Sequence, residues 1–406
     1  MQGPLHCPKC GHLLESERCP RCGCAERAVF RLVQREIVLL VLLSAAAVAM
    51  FLFTRAVAAA NRSMNARVAA TWYERGRQRL QAGDSQAAAD LFRRATINNR
   101  EQPKYQLALA DALAAGNYDE EARQVLLRLR DSSPEDGNIN LQLARLAAKR
   151  GAGSDAVLYY HHALYGRWVS AQAVTQRREV RLELARFLLS RQQNSSAVSE
   201  LLMLSADLPQ DPAFQTQTAQ LFLDAGEPAQ ALSLFTRAIR LDKKSDEAFA
   251  GAGEASFQLA DYVHARRYLA AALQQNPGSQ QVRHLLSVTE MVLSYDPLAP
   301  HLKTEERNRR LIAGFNQALL RIRDCLGLQA ERPESAQAAF QELYGEAQTL
   351  RPGLRPRNLT RDPELLRSGV ELIYRIEEAA GKGCGEPSEL DRALLLIGRK
   401  RAGAEQ

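Results

Sequence analysis

"TWYERGRQRLQAGDSQAAADLFRRA", residues 71–95, decides how the rest of the chain is read. A bulky Trp72 is followed by small Gly76, then by Gly83, by small Ala88, by aromatic Phe92 and by small Ala95. On two helices joined near Gly83, the small positions let the backbones approach closely, and the aromatic fills the gap toward whatever stacks next. Such a hairpin cannot bury its own apolar face, so it needs neighbours of the same kind.

The neighbours are present. The frame returns with Ala110, Ala122, Leu126 and Pro134, with Ala144, Ala156, Tyr160 and Ala163, and with Ala185, Ala197, Leu201 and Pro209. It returns again with Ala219, Ala231, Phe235 and Ala238, and with Gly253, Ala265, Leu269, Ala272 and Pro277. Its second small residue falls at 88, 122, 156, 197, 231 and 265, giving steps of 34, 34, 41, 34 and 34. In period and pattern, residues 69–279 resemble six tetratricopeptide repeats, and the resemblance implies an all-α, helical-hairpin solenoid. The long step carries seven extra residues in "ALYGRWVSAQAVTQRR", 163–178. There Trp168 either packs on a neighbouring hairpin or serves as an aromatic anchor for a partner.

The resemblance also implies that the first helix of each hairpin faces a concave groove. One projected column reads Arg77, Asp111, Arg145, Arg186, Gln220, Glu254, and the column beside it reads Tyr73, Leu107, Leu141, Leu182, Thr216, Ala250. With Lys104 and Lys149 added, the first half is basic over an apolar floor, and the second turns neutral to acidic. A groove of that character suits an acidic or amphipathic peptide; otherwise these are ordinary solvated helix positions. It departs from the carboxylate clamp of some repeat proteins, which wants Lys and Asn where this column offers Leu, Thr and Ala.

Two different chemistries precede the repeats. "CPKCGHLLESERCPRCGC", 7–24, holds two C-P-x-C-G turns, Cys7 with Cys10 and Cys19 with Cys22. Each turn brings two thiolates together, Gly11 and Gly23 allow positive φ after the bend, and four sulfurs close a tetrahedral Zn²⁺ site of structural type. The stretch resembles the short zinc ribbons of bacterial membrane proteins, which places a zinc ribbon at 1–26; Cys24, His6 and His12 are spare neighbours of a complete set. So small a unit has too little core to fold without metal.

Residues 37–54, inside an expected transmembrane helix at 36–56, carry no charge and span about 27 Å as a helix, close to the thickness of a bilayer's hydrocarbon. The alternatives are a buried core helix, although no comparable run recurs, and a cleavable signal peptide, for which "AVAAA" at 56–60 offers small residues. Arg27, Arg31 and Arg35 on one side balance Arg55, Arg62 and Arg67 on the other, so charge leaves the orientation open. Cysteine usage argues for one side. Four thiolates for zinc suit a reducing cytoplasm, and a separated pair, Cys325 and Cys384, suits an oxidising periplasm. The expected protein is a single-pass inner-membrane protein with its N-terminus cytoplasmic and its repeats periplasmic.

Residues 280–406 read as a helical C-terminal cap. Helical periodicity resumes at "TEERNRRLIAGFNQALLRIRDCL" and continues near 334–349, 362–380 and 387–400. Cys325 and Cys384 form either a disulfide or two free thiols. "RPGLRPRNLTRDPELLR", 351–367, with five arginines and three prolines, reads as a solvated basic loop.

Composition excludes little but directs much. Lys and Arg number 53 against 46 Asp and Glu, a net charge of +7 that is interspersed along the chain, so nucleic acid is not expected as a partner. No phosphate loop, nucleophile elbow or H-E-x-x-H motif occurs, and the adjacent His161 and His162 point in different directions on a helix. The expected function is therefore non-enzymatic: a membrane-anchored scaffold that gathers protein or peptide partners. One alternative is a transmembrane sensor that couples the repeats to the zinc ribbon. Another is an envelope assembly factor with its repeats in the cytoplasm.

Overall fold

The computed structural model describes residues 6–7, 9–13, 18–23, 26–169, 171–327 and 334–404. Cys24 and Pro8 of the first C-P-x-C turn lie outside the described residues. The fold is all-α, and the described residues add only two isolated bridges, His6 with Leu13 and Asp136 with Arg167. Two compact units divide at Trp168 and Val169.

Unit 1 begins with the cysteine turns and α1 (Glu26–Gln81), which runs unbroken through both the apolar stretch and the first helix of the first hairpin. Its 56 residues extend about 84 Å at 1.5 Å per residue. No Gly or Pro occurs between 26 and 75, and the alanine-rich 56–60 favours helix, so nothing in the sequence interrupts it. From Ile37, 45 residues of this helix contain a window of mean hydropathy 2.7, with none of that window buried. It is the one described helix long and apolar enough to cross a membrane.

The end of α1 pairs with α2 (Ser85–Asn98), α3 (Pro103–Ala115) with α4 (Asp119–Ser132), and α5 (Gly137–Lys149) with α6 (Gly153–Tyr165). The repeat frame has a direct steric cause. A Cβ on Gly76 would stand 2.6 Å from Cε1 of Phe92, whose ring is fully buried. Ala88, Ala95, Ala122, Ala144, Ala156 and Ala163 are likewise buried completely. Asp84 and Asp136 cap α2 and α5 by accepting from Ala87 N–H and from Asn138 and Ile139 N–H. Gly83 and Gly151 take positive φ at the hairpin turns, and Asn117 does the same between α3 and α4.

Trp168 belongs to the structure of unit 1. Its indole Nε1–H donates to the Ala163 carbonyl at 2.8 Å, and its ring lies on Gly137, where any Cβ would collide with it.

Unit 2 repeats the hairpin logic with α7 (Ala173–Ser190) and α8 (Asn194–Ser205), α9 (Pro212–Asp224) and α10 (Pro228–Leu241), and α11 (Asp246–Gln258) and α12 (Tyr262–Gln275). The long step is absorbed partly by α7, 18 residues against 13 in α9 and in α11. Ala185, Ala197, Leu201, Ala219, Ala231, Phe235, Ala238, Ala265 and Leu269 are fully buried, as the frame requires. Leu269 closes on Gly253, where a Cβ would stand 2.6 Å from its side chain.

Beyond α13 (Gln280–Tyr295) come α14 (Thr304–Gly327), α15 (Glu334–Leu350), α16 (Pro356–Arg361), α17 (Pro363–Gly383) and α18 (Glu389–Ala404). Their leucines and isoleucines share one core with Tyr262 of α12 and Val292 of α13, so the bundle is built directly on the last hairpin. His284 and Ser287 of α13 hold Glu389 of α18 at 3.0 and 2.9 Å. The Sγ atoms of Cys325 and Cys384 stand 2.08 Å apart, joining the end of α14 to the end of α17.

Inside this bundle Arg321 meets the fully buried Glu377 and lies 3.5 Å from Asp391. Burial raises the Glu377 carboxyl to about 7; Arg321 opposes the rise and Asp391 adds to it.

The segment 351–367 is not the solvated loop its composition implies. It forms a 3₁₀ turn at Arg351–Gly353, then α16 and the start of α17. Each piece begins with a proline at its first or second position, where no N–H is needed, and Leu354, Leu359 and Leu366 are buried beneath it.

Candidate functional site

The positions projected onto a groove in unit 1 come from the end of α1, α3 and α5. Tyr73 stacks obliquely on Tyr105 at 5.3 Å and on Phe92 at 5.7 Å. The Lys104 ammonium lies over both tyrosines, 5.0 Å from Tyr105 and 5.6 Å from Tyr73, a cation–π arrangement that holds its charge at the wall. Arg77 is exposed and pairs loosely with Glu74 at 3.3 Å. Asp111 keeps an edge open to water, yet the crowded wall raises its carboxyl to about 6, against the pull of Arg145 and a hydrogen bond from Gln142. Arg145 is exposed beside it. This surface thus carries Arg77, Lys104 and Arg145 with Glu74 and Asp111, beside an apolar surface that includes Leu107.

Lys149, expected to add charge beside the projected column, is engaged elsewhere. Its ammonium donates to Asn117 Oδ1 and Asp119 Oδ1, both at 2.8 Å, and reaches the Ala114 carbonyl at 3.4 Å. It ties α5 to the turn between α3 and α4. Leu141, at 7% exposure, belongs to the core more than to the groove floor.

In unit 2 the column falls on α7, α9 and α11. Arg186 donates to Gln217 Oε1 at 3.1 Å, Gln220 bonds Asp224 at 2.9 Å, and Leu182 is buried in the core. Between α9, α11 and α13 lies a recess of about 590 Å³, which includes Thr216, Gln220, Ala250 and Glu254. Sequence reasoning found these four and missed Asp246 and Glu247, which also line it, because "SDE" at 245–247 reads as a helix start.

At the N-terminus, Cys7 Sγ lies 3.5 Å from Cys22 Sγ, and Cys10 Sγ lies 3.5 Å from both Cys19 and Cys22. All four sulfurs fall within 4.8 Å of one another. Zn–S bonds of about 2.3 Å in a tetrahedron require sulfurs about 3.8 Å apart, so the four fit such an ion. The two turns are built alike: Gly11 N–H donates to the Cys7 carbonyl, Gly23 N–H donates to the Cys19 carbonyl, and both glycines have positive φ. Backbone N–H groups of Arg21 and Cys22, Arg21 first, help draw Cys19 down to about 6. Cys10 is held up near 12 although the His12 backbone pulls the other way, because burial and the neighbouring thiols disfavour a second charge.

Two histidines outside the cysteine turns face carboxylates: His264 meets Asp261 at 2.7 Å, and His284 meets Glu389 at 3.0 Å.

Models of the tetratricopeptide repeat match residues 73–137 and 222–288, so these stretches are such repeats, one in each unit. The chain is similar in structure to YrrB, a TPR protein with an unusual peptide-binding site: 18% identity, 48% of this chain and 97% of that chain, TM-score 0.39. It is similar to PilW, a type IV pilus biogenesis factor, at 16% identity over 54% of this chain and 98% of that one, TM-score 0.42. It is also similar to the first TPR of Spaghetti (RPAP3) bound to an HSP90 peptide, at 19% identity over 29% and 94%, TM-score 0.27. No curated protein sequence matches the chain.

Proposed function

We propose that the protein is a non-enzymatic, membrane-anchored scaffold whose concave repeat faces bind protein or peptide partners at the cell envelope. The observation that carries this reading is α1, which joins the exposed apolar stretch from Ile37 directly to Tyr73 and Arg77 on the concave wall of the first hairpin. An exposed, uncharged helix of that length is costly in water and stable in a bilayer. Tetratricopeptide repeats supply the interaction surface, and the basic, aromatic wall of unit 1 suits an acidic or amphipathic segment.

In this reading Cys7, Cys10, Cys19 and Cys22 hold a structural Zn²⁺ in the cytoplasm, and the region after residue 55 is periplasmic, where Cys325 and Cys384 remain bridged. A second reading, a transmembrane sensor, is favoured by the same unbroken helix, since a tilt or rotation of the first hairpin would be carried along α1 to its start at Glu26.

Thiol labelling of intact cells tests the arrangement. With an impermeant maleimide added after mild reduction, Cys325 and Cys384 label in intact cells, and the four N-terminal cysteines label only after lysis and zinc removal. Labelling of Cys325 and Cys384 only after lysis would put the repeats in the cytoplasm. Release of the protein by alkaline carbonate would remove the anchor.

A further inference from the structure

Between the uncharged stretch and the first hairpin, residues 55–68 of α1 are exposed except for the half-buried Ala66, and the first buried position is Ala69. This stalk leaves large apolar side chains in the open: Val57 is 52% exposed, Met64 64% and Val68 41%. They are not scattered. Val57 and Met64 belong to a row that recurs at every seventh residue, Leu43, Met50, Val57, Met64 and Thr71. Four residues after its first four members comes a second row, Ala47, Thr54, Asn61 and Val68. At about 3.6 residues per turn, the two rows run side by side along one face of the helix.

Almost every position inside a bilayer span is apolar, so the stalk is the part that decides. The charges between 37 and 71 are Arg55, Arg62 and Arg67, and none stands on either row. Arg55 and Arg62 lie on the far side of the helix, and Arg67 flanks the rows as an exposed side chain. Among the apolar residues of the stalk the rows carry one amide, Asn61, between Val57 and Met64. Two apolar rows repeating at seven, with a single Asn in the row that follows by four, are what two parallel helices use to pair: the apolar side chains interdigitate, and the Asn fixes the register. An identical helix matches this repeat position for position, and Arg55 and Arg62 of the two copies then point away from each other. The bilayer sets the orientation, because copies held by the same uncharged stretch stand parallel with like residues at like depth.

The first hairpin leaves this face free. Ala69 packs with Ala95 and Tyr105, and Gly76 packs under Phe92, on a side of α1 about a quarter turn from the rows. Two paired copies therefore carry their first hairpins outward on opposite sides.

We propose that α1 pairs with the same helix of a second copy of this chain, in parallel and in register, along the seam from Leu43 to Thr71. The proposal rests on reading residues 37–54 as the membrane anchor.

The test uses full-length protein in density-matched non-ionic detergent, with mass read by sedimentation equilibrium. The wild type sediments at twice the mass of one chain. Val57→Arg with Met64→Arg sets like charges against each other in the seam and raises the dimer dissociation constant by about tenfold or more. Ala59→Arg with Ser63→Arg adds the same charge to exposed positions off the seam and leaves the mass unchanged. A monomeric or trimeric wild type, or equal weakening by the two double variants, overturns the proposal. Alkaline carbonate extraction separates this inference from the anchor on which it rests: a protein that resists extraction yet is a monomer sinks the pairing and leaves the anchor standing, and a protein that is released sinks both.

Discussion

Replacing Gly76 by Ala sets two effects of opposite sign against each other. In an exposed helix interior the change stabilises by about 1 kcal/mol, because glycine loses more backbone freedom on folding. Here the new methyl would stand 2.6, 2.8 and 3.0 Å from three ring carbons of Phe92, and that ring is fully buried. Overpacking of this kind costs about 1–3 kcal/mol, so the net expected effect is a loss of about 0–2 kcal/mol from unit 1. Adding Phe92→Leu gives the methyl room, so the double variant loses less than the sum of the single changes. Both tryptophans of the chain, Trp72 and Trp168, lie in unit 1, so urea unfolding followed by tryptophan fluorescence reads the affected unit. A stabilised Gly76→Ala protein, or strict additivity with Phe92→Leu, would refute the close-approach account of the repeat frame.

Other outcomes follow from unit 2 and the N-terminus. Glu377 has a folded-state pKa above its unfolded value, so the folded chain binds the proton more tightly. Stability of unit 2 therefore falls as pH rises from about 4.5 through about 7, and Glu377→Gln flattens that slope in thermal melts at pH 5.5 and 8. Replacing Cys325 and Cys384 by Ser removes a closure of 59 residues and lowers the stability of unit 2 by up to about 4 kcal/mol, read by hydrogen exchange in α14 and α17. Cys10→Ser lowers the zinc bound per chain, measured by a colorimetric chelator, and leaves the unfolding of α2 to α6 unchanged.

The repeats were legible because their signal is steric and local. Gly76 under Phe92 and Gly253 under Leu269 cannot be larger, and the caps at Asp84 and Asp136 follow ordinary helix-start chemistry. The unbroken α1 was legible too, had the lack of Gly and Pro from 26 to 75 been weighed as heavily as the change in hydropathy.

What escaped the sequence depends on distance along the chain. Lys149 was expected to add charge to the groove, but its bonds go to Asn117 and Asp119, about one repeat earlier, in a turn whose position no local pattern specifies. The arginines of 351–367 hide three leucines that matter only because α14 and α17 lie beneath them. The acidic recess needs α9, α11 and α13 together, so its volume cannot be read from any one of them.

The scaffold account is tested most directly by placing a photo-crosslinking residue at Arg145, a proposed groove position, and, as a control, at the exposed Arg128 of α4, in membranes from cells making the full-length protein. The account predicts a discrete crosslinked protein from position 145 that is absent from position 128 and weakened when Arg77 and Lys104 are changed to Glu. No adduct at 145, or the same adducts at both positions, would contradict it.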